Sequence, residues 1–121
     1  MRYSGAVTSE FEDNWTTQVR KGVIELCVLN ALSGGRLYGY DIVRRLRELD
    51  GMFISEGTVY PLLNRLKRES FVQTTLEESP EGPARKYYAL TEKGRRQLAV
   101  MNDYWRRIGE GVAKVQRRNT R

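Results

Sequence analysis

The amino-acid sequence predicts an α+β fold that is mainly α: three helices, a two-stranded β-hairpin and one long helix closing the chain. Three observations carry that expectation. Apolar residues recur at helical spacing in three segments between residues 17 and 69. Residues 71–90 switch to alternation and are split by the turn-forming run Ser79-Pro80-Glu81-Gly82-Pro83. Beyond Thr91, the residues Leu98, Met101, Trp105, Ile108, Val112 and Val115 recur at intervals of 3, 4, 3, 4 and 3, a heptad pattern.

Residues 1–14 have little apolar pattern and mix Gly, Ser, Thr, Asp and Glu, so they are expected to form an arm that is flexible unless docked. The body is expected over 15–90 and the closing helix over 91–121. Across 17–32, Val19, Val23, Ile24, Leu26, Cys27, Val28, Leu29, Ala31 and Leu32 cover most of a helix circumference, which predicts burial on nearly all sides. Gly34-Gly35 then ends this helix.

A second helix is expected from about Tyr38 to Leu49, with Ile42, Val43, Leu46 and Leu49 in one stripe and Arg44, Arg45, Arg47 and Glu48 off it. Gly51 breaks that pattern. Ser55 is placed to cap a third helix reaching about Glu69, and Glu56 suits its dipole. Val59, Leu62, Leu63 and Leu66 face the core. At about 100° per residue the opposite face carries Gly57, Pro61, Asn64 and Arg68, flanked by Thr58, Tyr60, Arg65 and Lys67. Pro61 cannot donate to the carbonyl of Gly57 and crowds it, so the helix is expected to begin nearer Thr58 or to be distorted there.

In the hairpin, Val72, Thr74 and Leu76 alternate with Gln73 and Thr75, and residues 86–90 return as a second short strand. Thr91 can cap the closing helix, which runs to about Arg118. Its stripe of two apolar residues per heptad suits helix pairing, so Leu98, Met101, Trp105, Ile108, Val112 and Val115 are expected to form a homodimer seam. The competing reading is a helix lying on its own domain, and Gly109 and Gly111 weaken it by roughly 1 kcal/mol each relative to Ala.

Composition narrows the function. The 121 residues suffice for one domain with a modest core. Lys and Arg number 21 against 15 Asp and Glu, a net charge of +6 that suits a polyanionic partner, although an anionic membrane surface attracts the same charge. The chain has no histidine, which removes the usual general base, the hydrolase triads and the commonest zinc ligand. One cysteine, Cys27, lies in an apolar run, so neither an intrachain disulfide nor a cysteine-based metal site can form, and a reducing compartment fits. No glycine-rich phosphate loop occurs. An enzyme is therefore not expected, nor a metal or cofactor. No stretch approaches the ~18 apolar residues of a membrane span and no leader pattern is present, so a cytoplasmic protein is expected.

Three helices followed by a hairpin, with a basic and polar outer face on the third, is the layout of a winged helix-turn-helix, whose third helix enters the DNA major groove while the second braces it. The outer face is chemically suited to reading DNA. Asn64 can read an adenine edge, Arg65 or Arg68 a guanine edge, and Lys67 a phosphate, with Ser55 at the helix start beside them. Gly57 offers no side chain to hold the backbone away from DNA. An ordinary solvated helix face is the plain alternative for each residue, and a module for protein contacts or non-specific RNA binding would show the same charges.

The runs Tyr38-Gly39-Tyr40-Asp41-Ile42, Glu56-Gly57-Thr58-Val59-Tyr60-Pro61-Leu62-Leu63 and Gly82-Pro83-Ala84-Arg85-Lys86-Tyr87-Tyr88-Ala89-Leu90-Thr91-Glu92-Lys93-Gly94 stand in that order. From about Gln18 to Val115 the chain resembles the PadR family of bacterial transcriptional regulators, in the short-tailed branch with a single C-terminal helix. The resemblance implies a dimer assembled through the C-terminal helix with help from the first, binding a double-stranded palindromic operator and repressing transcription. It places Tyr38 and Gly39 at the start of the supporting helix near phosphates, and Thr58, Tyr60, Asn64 and Lys67 on the recognition helix. Arg85 and Lys86 would meet the DNA backbone from the wing. Glu77, Glu78 and Glu81 make the wing tip acidic, against deep minor-groove insertion. One of Tyr87 and Tyr88 must face inward.

Some members of the family bind flat hydrophobic drugs between paired tryptophans at the dimer interface, and Trp105, with Met101 beside it, falls at the resembling position. A small aromatic or hydrophobic effector stacked on Trp105 is one reading. Dimer packing, with Met101, Ile108 and Trp15 filling the space, is the other.

Overall fold

The computed structural model describes residues 9–52 and 54–119, with the backbone alone described at 9–13. Helix α1 (Ser9–Ala31) passes through a 3-10 turn (Leu32–Gly34) into β1 (Leu37–Tyr38), and α2 (Gly39–Arg47) and α3 (Glu56–Arg68) follow. The hairpin of β2 (Val72–Ser79) and β3 (Gly82–Leu90) then leads into α4 (Glu92–Asn119).

The apolar spacing does what it implies at the centre. Val28, Leu29 and Leu32 meet Ile42, Val43, Val59, Leu63 and Leu66, all fully shielded from solvent. Val72, Tyr88, Leu90 and Leu98 extend this core under the hairpin and the first turns of α4. The sheet has three antiparallel strands in the order β1-β3-β2, with Leu37 opposite Tyr88 and Val72 opposite Leu90.

Several boundaries differ from expectation. The first helix begins at Ser9 rather than Thr17, so residues 9–14 of the expected arm are helical, while residues 1–8 lie outside the described residues. Its burial is confined to the C-terminal half: Val28 and Leu29 are enclosed, whereas Val19 and Trp15 stand exposed, at 39% and 55%. The second helix is shorter, from Gly39 to Arg47, which leaves Leu49 outside the helix and exposed. Strand β1 was not anticipated, since two residues cannot display an alternation. The hairpin strands are longer than the pattern implied, and the loop shrinks to Pro80-Glu81 because Ser79 pairs with Gly82 and Pro83 lies within β3, with a register irregularity between Glu77 and Ser79.

Helix α3 runs unbroken from Glu56 through Pro61, so the start nearer Thr58 is not found. Both Gly57 and Pro61 are exposed, and water can satisfy the carbonyl that lacks the Pro61 donor. Ser55 occupies the N-cap position, but its hydroxyl bonds the Thr58 hydroxyl at 3.2 Å rather than a backbone N–H.

The far end of α3 is tied to the start of α4. The Phe71 N–H donates to Leu66 O (2.9 Å) and the Ser70 N–H to Lys67 O (3.0 Å), a Schellman closure that holds Ser70 at φ 67°. Thr91 caps α4 as expected, accepting from the Gly94 N–H at 2.9 Å, and its hydroxyl donates to Ser70 O at 2.6 Å. Lys93 Nζ donates to Glu69 O at 2.9 Å. Gly94 allows this approach: a Cβ there would lie 2.0 Å from Phe71 O.

Candidate nucleic-acid interface

Helix α3 turns a strip of small, polar and cationic side chains to solvent: Gly57, Thr58, Pro61, Asn64, Lys67 and Arg68 are all exposed. Among the described residues Lys67 and Arg68 have no ion-pair partner, so both charges are available to a polyanion. Arg65 is not available in the same way. Its guanidinium reaches Glu25 of α1 at 2.5 Å and Glu69 at 2.9 Å, and the hydrogen bond to Glu25 raises its pKa. Of the two arginines expected to reach a guanine edge, Arg68 is the one left without an ion-pair partner among the described residues, while Arg65 ties α3 to α1. The partner lies 40 positions away in the chain, which is why no local pattern revealed it.

Spacing between α2 and α3 is set by a glycine. Gly39 is buried, and a Cβ on it would meet Tyr60 Cε1 at 2.9 Å and Tyr88 Cε1 at 3.2 Å. Gly39 does stand at the start of α2, and the direction a Cβ would take from it is inward, where α2 closes on the two tyrosine rings. Tyr60 is half-buried at that junction, with its pKa raised by burial and then by Glu56. Its hydroxyl stays protonated and can donate at neutral pH. Tyr88 is the inward member of the Tyr87-Tyr88 pair, 3% exposed, with its pKa also raised by burial.

The outer face of the sheet carries a ladder of aromatic rings and guanidinium groups. Arg36 lies 4.4 Å over the Tyr87 ring, Tyr87 and Tyr38 are 5.9 Å apart, and Arg85 lies 5.1 Å over the Tyr38 ring. Arg36 also reaches Glu77 at 2.5 Å across the width of the sheet, and that contact holds the Glu77 carboxyl below its usual range. One of the three acidic groups near the wing tip is thus neutralised by a residue of the body. Tyr38 sits in β1 rather than in the second helix, half-exposed. Arg85 and Lys86 are both exposed, but strand alternation sends them to opposite faces, Arg85 with Tyr87 and Lys86 with Tyr88. They cannot grip one phosphate together. Sequence reading missed Arg36 and the role of Tyr87; the signal it lacked was strand β1, which brings them into register.

Helix α4 divides into two parts. Leu98 is 6% exposed and belongs to its own protomer's core, so it leaves the expected seam, and Met101 packs partly against the same core. Asn102 and Asn30 exchange amide hydrogen bonds at 2.9 and 3.0 Å, tying α4 to α1. Beyond it Tyr104, Trp105, Ile108, Val112 and Val115 lie exposed, and Val100 is exposed just before it. Between α1 and this part of α4 runs an apolar groove of about 510 Å³, lined by Val19, Val23, Leu26, Met101, Trp105 and Ile108 among others. Trp15 remains 55% exposed. Among the described residues no helix is long and apolar enough to cross a membrane.

Comparisons with known proteins agree with this architecture. The Transcriptional regulator PadR-like family matches residues 28–100. The solved structure of a PadR-like transcription factor from Bacteroides fragilis is 39% identical, with a TM-score of 0.71, covering 85% of this chain and 99% of that one. A PadR-like transcriptional regulator from Bacillus cereus is 38% identical, with a TM-score of 0.74, covering 82% of this chain and 96% of that one. The negative transcriptional regulator PadR of Bacillus subtilis is 34% identical over 80 residues, 63% of this chain but 43% of that protein, so the chain spans less than half of that relative. The proteins it resembles are transcriptional regulators, and their winged helix-turn-helix is the arrangement of α2, α3 and the hairpin here. The chain belongs to the PadR-like family of transcriptional regulators.

Proposed function

We propose that this regulator acts in the cytoplasm as a homodimeric repressor that reads a palindromic operator, each α3 entering one major groove of half-sites about one helical turn, ~34–36 Å, apart. The observation that carries the reading is the strip of Asn64, Lys67 and Arg68: exposed, without ion-pair partners among the described residues for the two cations, and flanked by the Tyr38–Arg85 face of the wing. Asn64 is the base reader and Lys67 the phosphate contact, with Arg68 a further cation on the same strip. Ser55, Thr58 and Tyr60 border the same strip, and Arg85 and Lys86 meet backbone from the two faces of the wing.

Dimerisation is assigned to residues 91–121 with α1. Trp105, Ile108, Val112 and Val115 on one helix form an apolar surface too continuous to be left in water. Repression is supported by the matched Bacillus subtilis protein, described as a negative regulator. The groove of about 510 Å³ beside Trp105 and Met101 is large enough for a small aromatic or hydrophobic ligand, which would release the repressor by changing how α1 and α4 pack.

The test compares Asn64→Ala with Lys67→Ala on a panel of duplexes. Asn64→Ala is expected to relax base preference at one position per half-site, and Lys67→Ala to weaken every sequence alike and lower the salt slope by about 1 per contact. Equal losses across all sequences for both variants would remove the base-reading role from Asn64.

A further inference from the structure

Thr17, Arg20, Lys21 and Ile24 recur along α1 at intervals of 3, 1 and 3 and so share one face. Thr58, Pro61, Arg65 and Arg68 recur along α3 at intervals of 3, 4 and 3 and likewise share a face. These two faces wall an open groove of about 780 Å³. The ionisable groups lining it are Arg20, Lys21, Arg65 and Arg68 against Glu25 alone. Glu25 is bound by Arg65 at 2.5 Å, so the single negative charge in the lining is cancelled within the wall, and the excess of charge there is positive. Lys21 and Arg68 are both exposed, and among the described residues neither has an ion-pair partner.

The groove is continuous with the outer strip of α3, because Thr58, Pro61 and Arg68 belong to both. A sugar-phosphate chain passing over that strip runs into it. Lys21 on one wall, with Arg68 and the Thr58 hydroxyl on the other, offers donors from both sides, the arrangement a phosphodiester needs. An apolar ligand would have to strip water from the cations, so it is not the occupant this lining favours.

We propose that the groove between α1 and α3 is a second phosphate-binding site of the DNA interface, in which Lys21, Arg68 and Thr58 hold the backbone beside the base-reading turn. It rests on the DNA-binding reading above, and adds to it a helix so far assigned only to the core and to assembly. Arg65 serves this site indirectly: by neutralising Glu25 it keeps a carboxylate from repelling the phosphate.

Wild-type protein, Lys21→Ala, Lys21→Arg and Arg68→Ala would be titrated by fluorescence anisotropy against the duplex recovered by selection and against a scrambled duplex of the same length, over a salt series. Lys21→Ala is expected to weaken both duplexes by one common factor, on the order of tenfold for a dimer, and to lower the salt slope by about 0.9 for each lost contact. Arg68→Ala lowers the slope in the same way from the opposite wall, and Lys21→Arg restores it. Melting curves and light scattering confirm that each exposed-residue variant keeps its fold and assembly. Wild-type affinity and slope in Lys21→Ala would overturn the site while leaving the DNA-binding reading intact. Failure of wild-type protein to bind either duplex would overturn both.

Discussion

Replacing Trp105 by alanine tests whether the exposed end of α4 is an assembly surface. Trp105 keeps 52% of its surface exposed in the protomer. For an indole side chain of about 200 Å², that leaves about 100 Å² to be covered by a partner, worth about 2.5 kcal/mol at ~25 cal/mol per Å². A two-fold interface covers the residue twice, so Trp105→Ala removes about 5 kcal/mol from association. That is roughly three to four decades in Kd. Sedimentation velocity or light scattering across a dilution series reads the change directly. Leu76 is 66% exposed but lies on the wing, so Leu76→Ala should leave the assembly unaltered. A Trp105→Ala dimer within about fivefold of wild type, a change of only ~1 kcal/mol, would refute assembly through this face.

Other perturbations follow from particular contacts. In Gly94→Ala the new Cβ meets Phe71 O at 2.0 Å, and since that atom is backbone it cannot swing aside; a loss of about 2–3 kcal/mol is expected in urea unfolding at fixed protein concentration, and an unchanged midpoint would contradict the close approach of α4 to the end of α3. Ser70→Gly removes a left-handed φ of 67° and is expected to raise stability by up to about 1 kcal/mol, a few degrees in Tm; a lowered Tm would count against it. Glu77 has its pKa depressed in the folded state by Arg36, so the stability from this pair is present above the usual carboxylate range and is lost as pH falls through the depressed value. The Tm advantage of wild type over Glu77→Gln should therefore be visible at neutral pH and vanish once pH has fallen below the depressed value; an advantage that persists in strong acid would show that another contact produces it.

Much of the architecture was legible because it rests on local periodicity. The spacing of Val59, Leu63 and Leu66 marked α3, and Thr91 before a heptad run marked the start of α4, where its hydroxyl does accept the Gly94 N–H. The heptad of α4, however, reports only that one face is apolar, not which element covers it; Leu98 turned out to lie in the protomer's core while Trp105 on the same stripe lies outside. Strand β1 could not be seen, since Leu37 and Tyr38 acquire strand geometry only by pairing with Tyr88 and Tyr87. The partners of Arg65 and Arg36 were hidden for the same reason: Glu25 and Glu77 are brought close by the tertiary fold, not by spacing along a helix or strand. The packing of Gly39 was hidden likewise, since the rings it approaches, Tyr60 and Tyr88, lie far along the chain.

The account stands most directly on whether the protein chooses its DNA. Purified protein would be used to select bound duplexes from a random pool, with its assembly state read by light scattering in the same preparation. A palindromic consensus with two half-sites about one helical turn apart, bound by a dimer, is the predicted result. A pool that stays featureless after repeated selection, or a single half-site bound by a monomer, would contradict it.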